Sequence, residues 1–263
     1  MRGVIDMYQN IDYIYGLLVT DGSMELMSRN RGKVRLEVQF NDKDIIYKLY
    51  DLVNGSTITE RTRDTNFKEN YHSICFNNYR NEFRQTLIDM GYPINDKSNN
   101  ECPPKCSYIK KDFWRGVFDG DGSIGYTKDG RPYISFVTVS DVLHEEYTLF
   151  LKEELGITKI INRNKRDNCY NFALYDEDAI NFSNYIYNEA EIYLDRKYET
   201  YMTFSSWKRT KKKVNRRTWT KEEDEYILNN TLKNSADHLK RTEKSVSLRK
   251  IRILKKIKTQ QTK

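Results

Sequence analysis

The clearest periodic signal along the chain is a one-sided apolar segment that occurs twice. IDYIYGLLVT at 11–20 and DFWRGVFDG at 112–120 place apolar side chains at helical spacing over about three turns. Each stops at the same polar sequence, Asp21, Gly22 and Ser23 in the first case and Asp121, Gly122 and Ser123 one hundred positions later. Period-two alternation follows each stop and predicts strands. Lys33, Arg35, Glu37 and Gln39 fall on one face with Val34, Leu36, Val38 and Phe40 on the other, and YISFVTV at 133–139 has the same rhythm. Helical segments come next, from Asp42 and from Asp141, stopped by Gly55 and Gly156. Two further strands are expected in each half, TITERTR with YHSICFN and TKIINRN with CYNFALY, before closing helices RNEFRQTLIDMG and EDAINFSNYIYNEA. The order is helix, two strands, helix, two strands, helix, twice over. It predicts an α+β body built from one repeat over 1–100 and a second over 101–207.

Gly22 and Gly122 are expected to end their helices in the left-handed conformation that glycine adopts readily. That puts Asp21 and Asp121 at the negative end of a helix dipole, where a carboxylate is disfavoured by about 0.3–1 kcal/mol. Gly16 and Gly116 lie inside the helices, where glycine costs about 1 kcal/mol relative to alanine. Close approach of one helix to the other would recover that cost and bring both carboxylates together. Two adjacent carboxylates repel unless a proton or a cation lies between them, and hard divalent ions such as Mg²⁺ or Mn²⁺ prefer oxygen ligands. A lysine follows each closing helix, Lys97 and Lys197, each 76 residues beyond its acid.

Charge divides the chain unevenly. Residues 208–263 hold 19 Lys and Arg against 6 Asp and Glu, a net of +13, and with +7 on the whole chain residues 1–207 carry −6. A basic tail of this kind suits a polyanion, because Lys and Arg that neutralise phosphates release counterions. Its first part, 208–217, reads as a linker that either tracks phosphates through Lys212, Lys213, Arg216 and Arg217 or serves as a flexible basic hinge. Over 218–258, WTKEEDEYIL opens with Thr220 and Glu223 in capping-box spacing, and two shorter helical segments follow, predicting a small all-α three-helix domain. The four cysteines, Cys75, Cys102, Cys106 and Cys169, are too scattered for a disulfide framework, and CPPKC alone makes a poor zinc site. With no apolar run near the roughly 18 residues of a membrane span, an intracellular, cytoplasmic protein is expected.

GLLVTDGS and GVFDGDGS, with the repeat order around them, resemble the two motifs of a single-chain LAGLIDADG homing endonuclease. The resemblance implies two pseudo-symmetric αββαββα repeats forming a DNA-binding saddle, with the motif helices at their interface. It implies that Asp21 and Asp121 bind the catalytic divalent metal, with the carbonyls of Thr20 and Gly120 as further ligands and Lys97 and Lys197 as active-site lysines. Val19 departs from the pattern seen at Asp119, a position the family does not use for the metal. Double-strand cleavage with short 3′ overhangs follows, by a monomer on a long, weakly symmetric site. Sheet residues Lys33, Arg35 and Gln39, with Thr57, Thr59, Arg61 and Arg63, alternate with core residues and would face that DNA, where Arg and Gln read guanine and adenine edges.

The tail resembles a Myb-like or SANT-type helix-turn-helix through WTKEED, ADHLKRT and SVSLRKIRIL. That resemblance makes Lys244, Ser245, Ser247, Arg249 and Lys250 of the third helix candidate DNA contacts, and Trp219, Ile227, Leu228, Leu239, Val246 and Ile253 its core. Competing readings are an intron RNA maturase, whose partner would be its host intron RNA, and a DNA-binding transcription regulator, which would have no reason to keep both acids. An intein is not expected, since the nucleophile and terminal Asn of splicing are missing from the ends.

Overall fold

The computed structural model describes residues 8–64, 69–94, 96–209 and 217–261, with side chains as far as Lys255. Two compact units divide the chain, Met1–Arg209 and Thr210–Lys263.

In the first unit α1 (Ile11–Asp21) is followed by a four-stranded antiparallel sheet of β1 (Gly22–Leu26), β2 (Gly32–Gln39), β3 (Ser56–Arg63) and β4 (Tyr71–Asn78), in the order β1-β2-β4-β3. Helix α2 (Lys43–Leu52) joins β2 to β3, and α3 (Asn81–Asp89) closes the half. A short helix α4 (Lys97–Asn100) leads towards α5 (Lys110–Gly120). The second half then forms β5 (Ser123–Tyr126), β6 (Pro132–Thr138), α6 (Asp141–Leu155), β7 (Tyr170–Tyr175), α7 (Glu177–Tyr187) and α8 (Asp195–Thr203). The fold is α+β, with α1 and α5 packed on each other and one core running through both halves.

Alternation sets which side of each sheet is buried. Val34 and Leu36 of β2, with Ile74 and Phe76 of β4, face inward against Ile45, Ile46 and Leu49 of α2. Ile134, Phe136, Phe172 and Leu174 do the same in the second half, against Leu143, Tyr147, Phe150 and Leu151 of α6. Each such side chain gains about 1.5–3 kcal/mol on burial, which pins the register because a one-residue slip would turn the whole set outward.

Two expectations are corrected. The segment TKIINRN forms no strand, so the second sheet has three strands, β5-β6-β7. Side chains satisfy the backbone there in place of a ladder: Lys159 Nζ donates to Ala173 O at 2.6 Å, and His144 Nε2 lies 3.1 Å from Ile161 O. Arg163 donates to Val139 O at 2.7 Å, and Ile160 projects into solvent. The second correction concerns Gly22, which is extended (φ −78°) rather than left-handed, and Gly122, which has no positive φ. Glycine is needed at both for space, since a Cβ would lie 2.6 Å from Leu18 O in one and 2.5 Å from Phe118 O in the other.

The second unit consists, among its described residues, of three helices, α9 (Lys221–Asn229), α10 (Leu232–Leu239) and α11 (Glu243–Gln261). The capping box at Thr220 and Glu223 is formed. Ile227, Ala236, Leu239 and Val246 make its core, with Trp219 and Tyr226 packed against them. Leu228 and Ile253, expected in that core, are only half-buried.

Candidate functional site

The site stands where α1 and α5 cross. A Cβ on Gly16 would lie 2.3 Å from Phe113 O, and one on Gly116 would lie 2.2 Å from Tyr13 O, so only glycine lets the two backbones touch. The helices stay together to their C-terminal ends, where a Cβ on Gly120 would meet Thr20 Oγ1 at 2.1 Å and Asp21 Cγ at 3.5 Å. The helix-to-helix contact anticipated from the two glycines therefore exists, and it places Asp21 and Asp121 side by side.

The two carboxyl groups are close enough to act on one another's ionisation. Desolvation first, and then the charge of Asp121, raise Asp21 from 3.8 to about 6. Burial raises Asp121 as well, while Lys97 and Lys197 oppose the rise. Both residues remain open to solvent on one side even though their carboxyl ends face each other.

Each lysine caps the motif helix of its own half. Lys97 Nζ donates to Thr20 O, and to Gly22 O at 2.6 Å. Lys197 Nζ donates to Phe118 O at 2.6 Å, Asp119 O at 2.8 Å, Gly120 O at 3.2 Å and Gly122 O at 2.6 Å. A cation at a helix C-terminus offsets the dipole that makes the acids there costly. Burial lowers both ammonium groups, Lys197 to about 8.

Oxygen chemistry here fits a hard divalent ion: two carboxylates that need a positive charge between them, beside the carbonyls of Thr20 and Gly120. Among the described residues no group of three or more His, Cys, Asp or Glu could hold a metal. The chain therefore offers a partial ligand set, of the kind Mg²⁺ completes with water and phosphate oxygens.

Two buried carboxylates near the site have no role assigned from the sequence. Asp119 accepts from Tyr13 OH at 2.8 Å, Tyr187 OH at 2.6 Å and Leu194 N at 2.8 Å, tying α1, α5 and α7 to the start of the helix that carries Lys197. Glu101, between the repeats, accepts from Thr138 Oγ1 at 3.0 Å, and burial, then Asp121, raise it to about 7. The sequence marks Asp119 only as the counterpart of Val19, outside the metal-binding pair, and nothing local marks Glu101.

The outer face of the first sheet holds Lys33, Arg35, Gln39, Arg61 and Arg63, in register with one another: Gln39 faces Ser73, which faces Arg61. Acids are interleaved with them. Lys33 lies 3.3 Å from Glu25, while Glu37 joins Arg35 at 2.6 Å and Arg63 at 3.2 Å. Burial pushes the Glu37 carboxyl up, but the Ser73 hydroxyl and both arginines outweigh it and hold it below its usual range. These ion pairs pre-orient the guanidinium groups at an exposed surface.

In the second unit the candidates separate. Lys244 is exposed and Ser245 and Ser247 are half-buried. Arg249 is drawn back into a bidentate pair with Asp224, both contacts at 2.6 Å, and Lys250 donates to Asn230 O at 3.1 Å. Arg217 donates to Glu223 and to Leu239 O, so its hydrogen bonds are internal to the unit. Lys212, Lys213 and Arg216 lie outside the described residues.

Residues 109–197 match the LAGLIDADG-like domain family, a span that takes in α5, Asp121 and Lys197. Among solved structures, the LAGLIDADG homing endonuclease I-GzeII in complex with DNA target is similar at 11% identity and a TM-score of 0.47, covering 75% of this chain and 89% of that one. I-LtrWI, a LAGLIDADG homing endonuclease bound to target DNA, gives 14% and 0.46, with coverage of 76% and 89%. Full-length DUF199/WhiA from Thermatoga maritima gives 14% and 0.41, with coverage of 94% and 90%. No curated protein matches the chain.

Proposed function

We propose that this protein is a metal-dependent endonuclease that cuts both strands of DNA at a long specific site, one phosphodiester per strand. The observation that carries the reading is the pairing of Asp21 with Asp121 at a helix crossing built for it, with a lysine on each side. Two adjacent, desolvated acids destabilise a fold at neutral pH, so their presence calls for a ligand of positive charge. Asp21 and Asp121, with the Thr20 and Gly120 carbonyls, would hold Mg²⁺ or Mn²⁺. The ion would supply activation of water and stabilisation of the leaving oxygen. The chain's own part is positioning: Lys97 and Lys197 set positive charge beside the acids, and the first-sheet arginines hold the duplex across them.

Fragmented or randomised DNA incubated with the full chain and Mg²⁺ is expected to yield discrete double-strand breaks with short 3′ overhangs, and none when EDTA replaces the metal. Sequencing of the ends reads the result. Sequence-specific binding without a break would favour a regulator instead, and no discrete product under either metal defeats the proposal.

The three-helix unit, in this reading a Myb/SANT-like module, serves as a second DNA contact, with Lys244 and the net charge of its segment as the attracting groups. Each phosphate neutralised contributes about 0.9 to the slope of log affinity against log salt. Removing 210–263 should therefore weaken binding and lower that slope by about 2 or more, as fluorescence anisotropy across a salt series would show, with the metal-dependent breaks retained. An unchanged slope would remove the unit from the interface.

A further inference from the structure

Both lysines cap a motif helix, but they differ in their support. Lys197 is 2% exposed and sits on the nine-residue α8, whose entry at Leu194 is held by the Asp119 carboxylate. In the first half Val19 stands at the position equivalent to Asp119, and an isopropyl group accepts no hydrogen bond. Lys97 is half-buried, on the four-residue α4, entered through Asp96 in the left-handed conformation at φ 47°. A single turn of helix is marginal by itself.

What fastens that turn is Glu101, which follows it directly. Glu101 is 5% exposed. Its side chain accepts from Thr138 Oγ1 at 3.0 Å, at the end of β6, and its carbonyl accepts from Ser140 Oγ at 2.6 Å. Those partners are themselves fixed. Thr138 Oγ1 accepts from Ser140 N at 3.0 Å, and Ser140 Oγ caps α6 by accepting from Leu143 N at 3.2 Å. The segment that carries the lysine of the first half is thus bolted to the frame of the second.

We propose that Glu101 is a positioning residue for Lys97, doing across the repeat junction what Asp119 does for Lys197 within its own half. The inference rests on the nuclease reading for its catalytic consequence, not for its structural one. Burial first, and then the Asp121 charge, raise the Glu101 carboxyl to about 7, so an acid is retained where its ionisation is disfavoured. An apolar residue would fill the space without that penalty, but would leave the Thr138 hydroxyl without its acceptor.

The test uses the full chain with Glu101→Ala and Glu101→Gln, the second keeping an oxygen that accepts from Thr138. By hydrogen-exchange mass spectrometry, Glu101→Ala should speed exchange of residues 92–101 about tenfold with the rest of the unit unchanged, and Glu101→Gln should restore protection to within about twofold. On a target selected in the cleavage experiment, Glu101→Ala should slow nicking of one strand about tenfold relative to the other at unchanged DNA affinity, and Glu101→Gln should recover it. Unaltered exchange in Glu101→Ala, equal slowing of both strands, or no recovery in Glu101→Gln overturns the assignment. If the wild type cuts no DNA, the nuclease reading falls while the exchange measurements still decide whether Glu101 holds the segment.

Discussion

Asp121→Asn is expected to abolish double-strand cleavage, by at least about 10³-fold, while making the protein harder to melt at pH 7.5. The two effects share one cause. Asp21 titrates at about 6 in the fold against 3.8 for the free group, and Asp121 is raised with it. Between those two values the folded state binds more protons than the unfolded chain, so stability contributed by the pair is present at low pH and is lost as pH rises through about 6. Above that the fold carries two desolvated carboxylates and their mutual repulsion, and an isosteric amide removes the Asp121 charge and with it the repulsion. A rise from 3.8 to about 6 corresponds to about 3 kcal/mol. Solvent reaches both residues and screens the pair, so about 1 kcal/mol is the gain to expect, a rise of roughly 2–4 °C in melting temperature. Calorimetry of wild type and variant at pH 5 and pH 7.5 checks it. The difference should shrink at pH 5, below the value of about 6 at which Asp21 gains its proton. A variant that melts lower at pH 7.5, or nicks DNA within tenfold of wild type, contradicts the role given to the pair.

The largest loss of stability is expected from Gly116→Ala. The new methyl would lie 2.2 Å from Tyr13 O and 2.7 Å from Leu17 N, both backbone atoms of the facing helix. No rotamer change relieves such a contact, so the helices must move apart along the seam that joins the halves. Overpacking of this kind costs about 3 kcal/mol, or a fall in melting temperature of roughly 6–12 °C for a unit of this size. Gly16→Ala should behave alike, its methyl meeting Phe113 O at 2.3 Å. Gly125→Ala, whose Cβ would meet only the Tyr133 ring at 3.3 Å, serves as the control and should cost no more than about 1 kcal/mol. A thermal melt that separates Gly116→Ala from wild type by less than Gly125→Ala would show that the crossing can loosen freely.

Much of this was legible along the chain, for reasons that are local. Helix and strand periodicity record which side chains must leave water, so α1, α5, β2 and β6 appear in the pattern before any fold is known. Awkward choices were equally informative. An acid at a helix C-terminus and a glycine inside an apolar helix are each unfavourable alone, and their recurrence at matching places pointed to one helix resting on another. The capping box at Thr220 was readable because its two partners are three residues apart.

Other features depend on partners far apart in sequence. Glu101 reaches Thr138 across 37 positions, and Asp119 reaches Tyr13 across 106, so no window along the chain contains both members. The missing strand at 158–164 has an adequate strand pattern, but side-chain donors such as Lys159 take carbonyls that a ladder would use. Arg249 looked like a surface cation until α9 brought Asp224 against it. The sequence by itself determined the repeat, the paired acids and the faces of the elements, because hydrophobic burial and backbone conformation are encoded within a few neighbouring residues. Only the tertiary structure decided which charges are spent holding the molecule together and which remain at its surface, because hydrogen bonds and ion pairs act over a few ångströms in space whatever the distance along the chain.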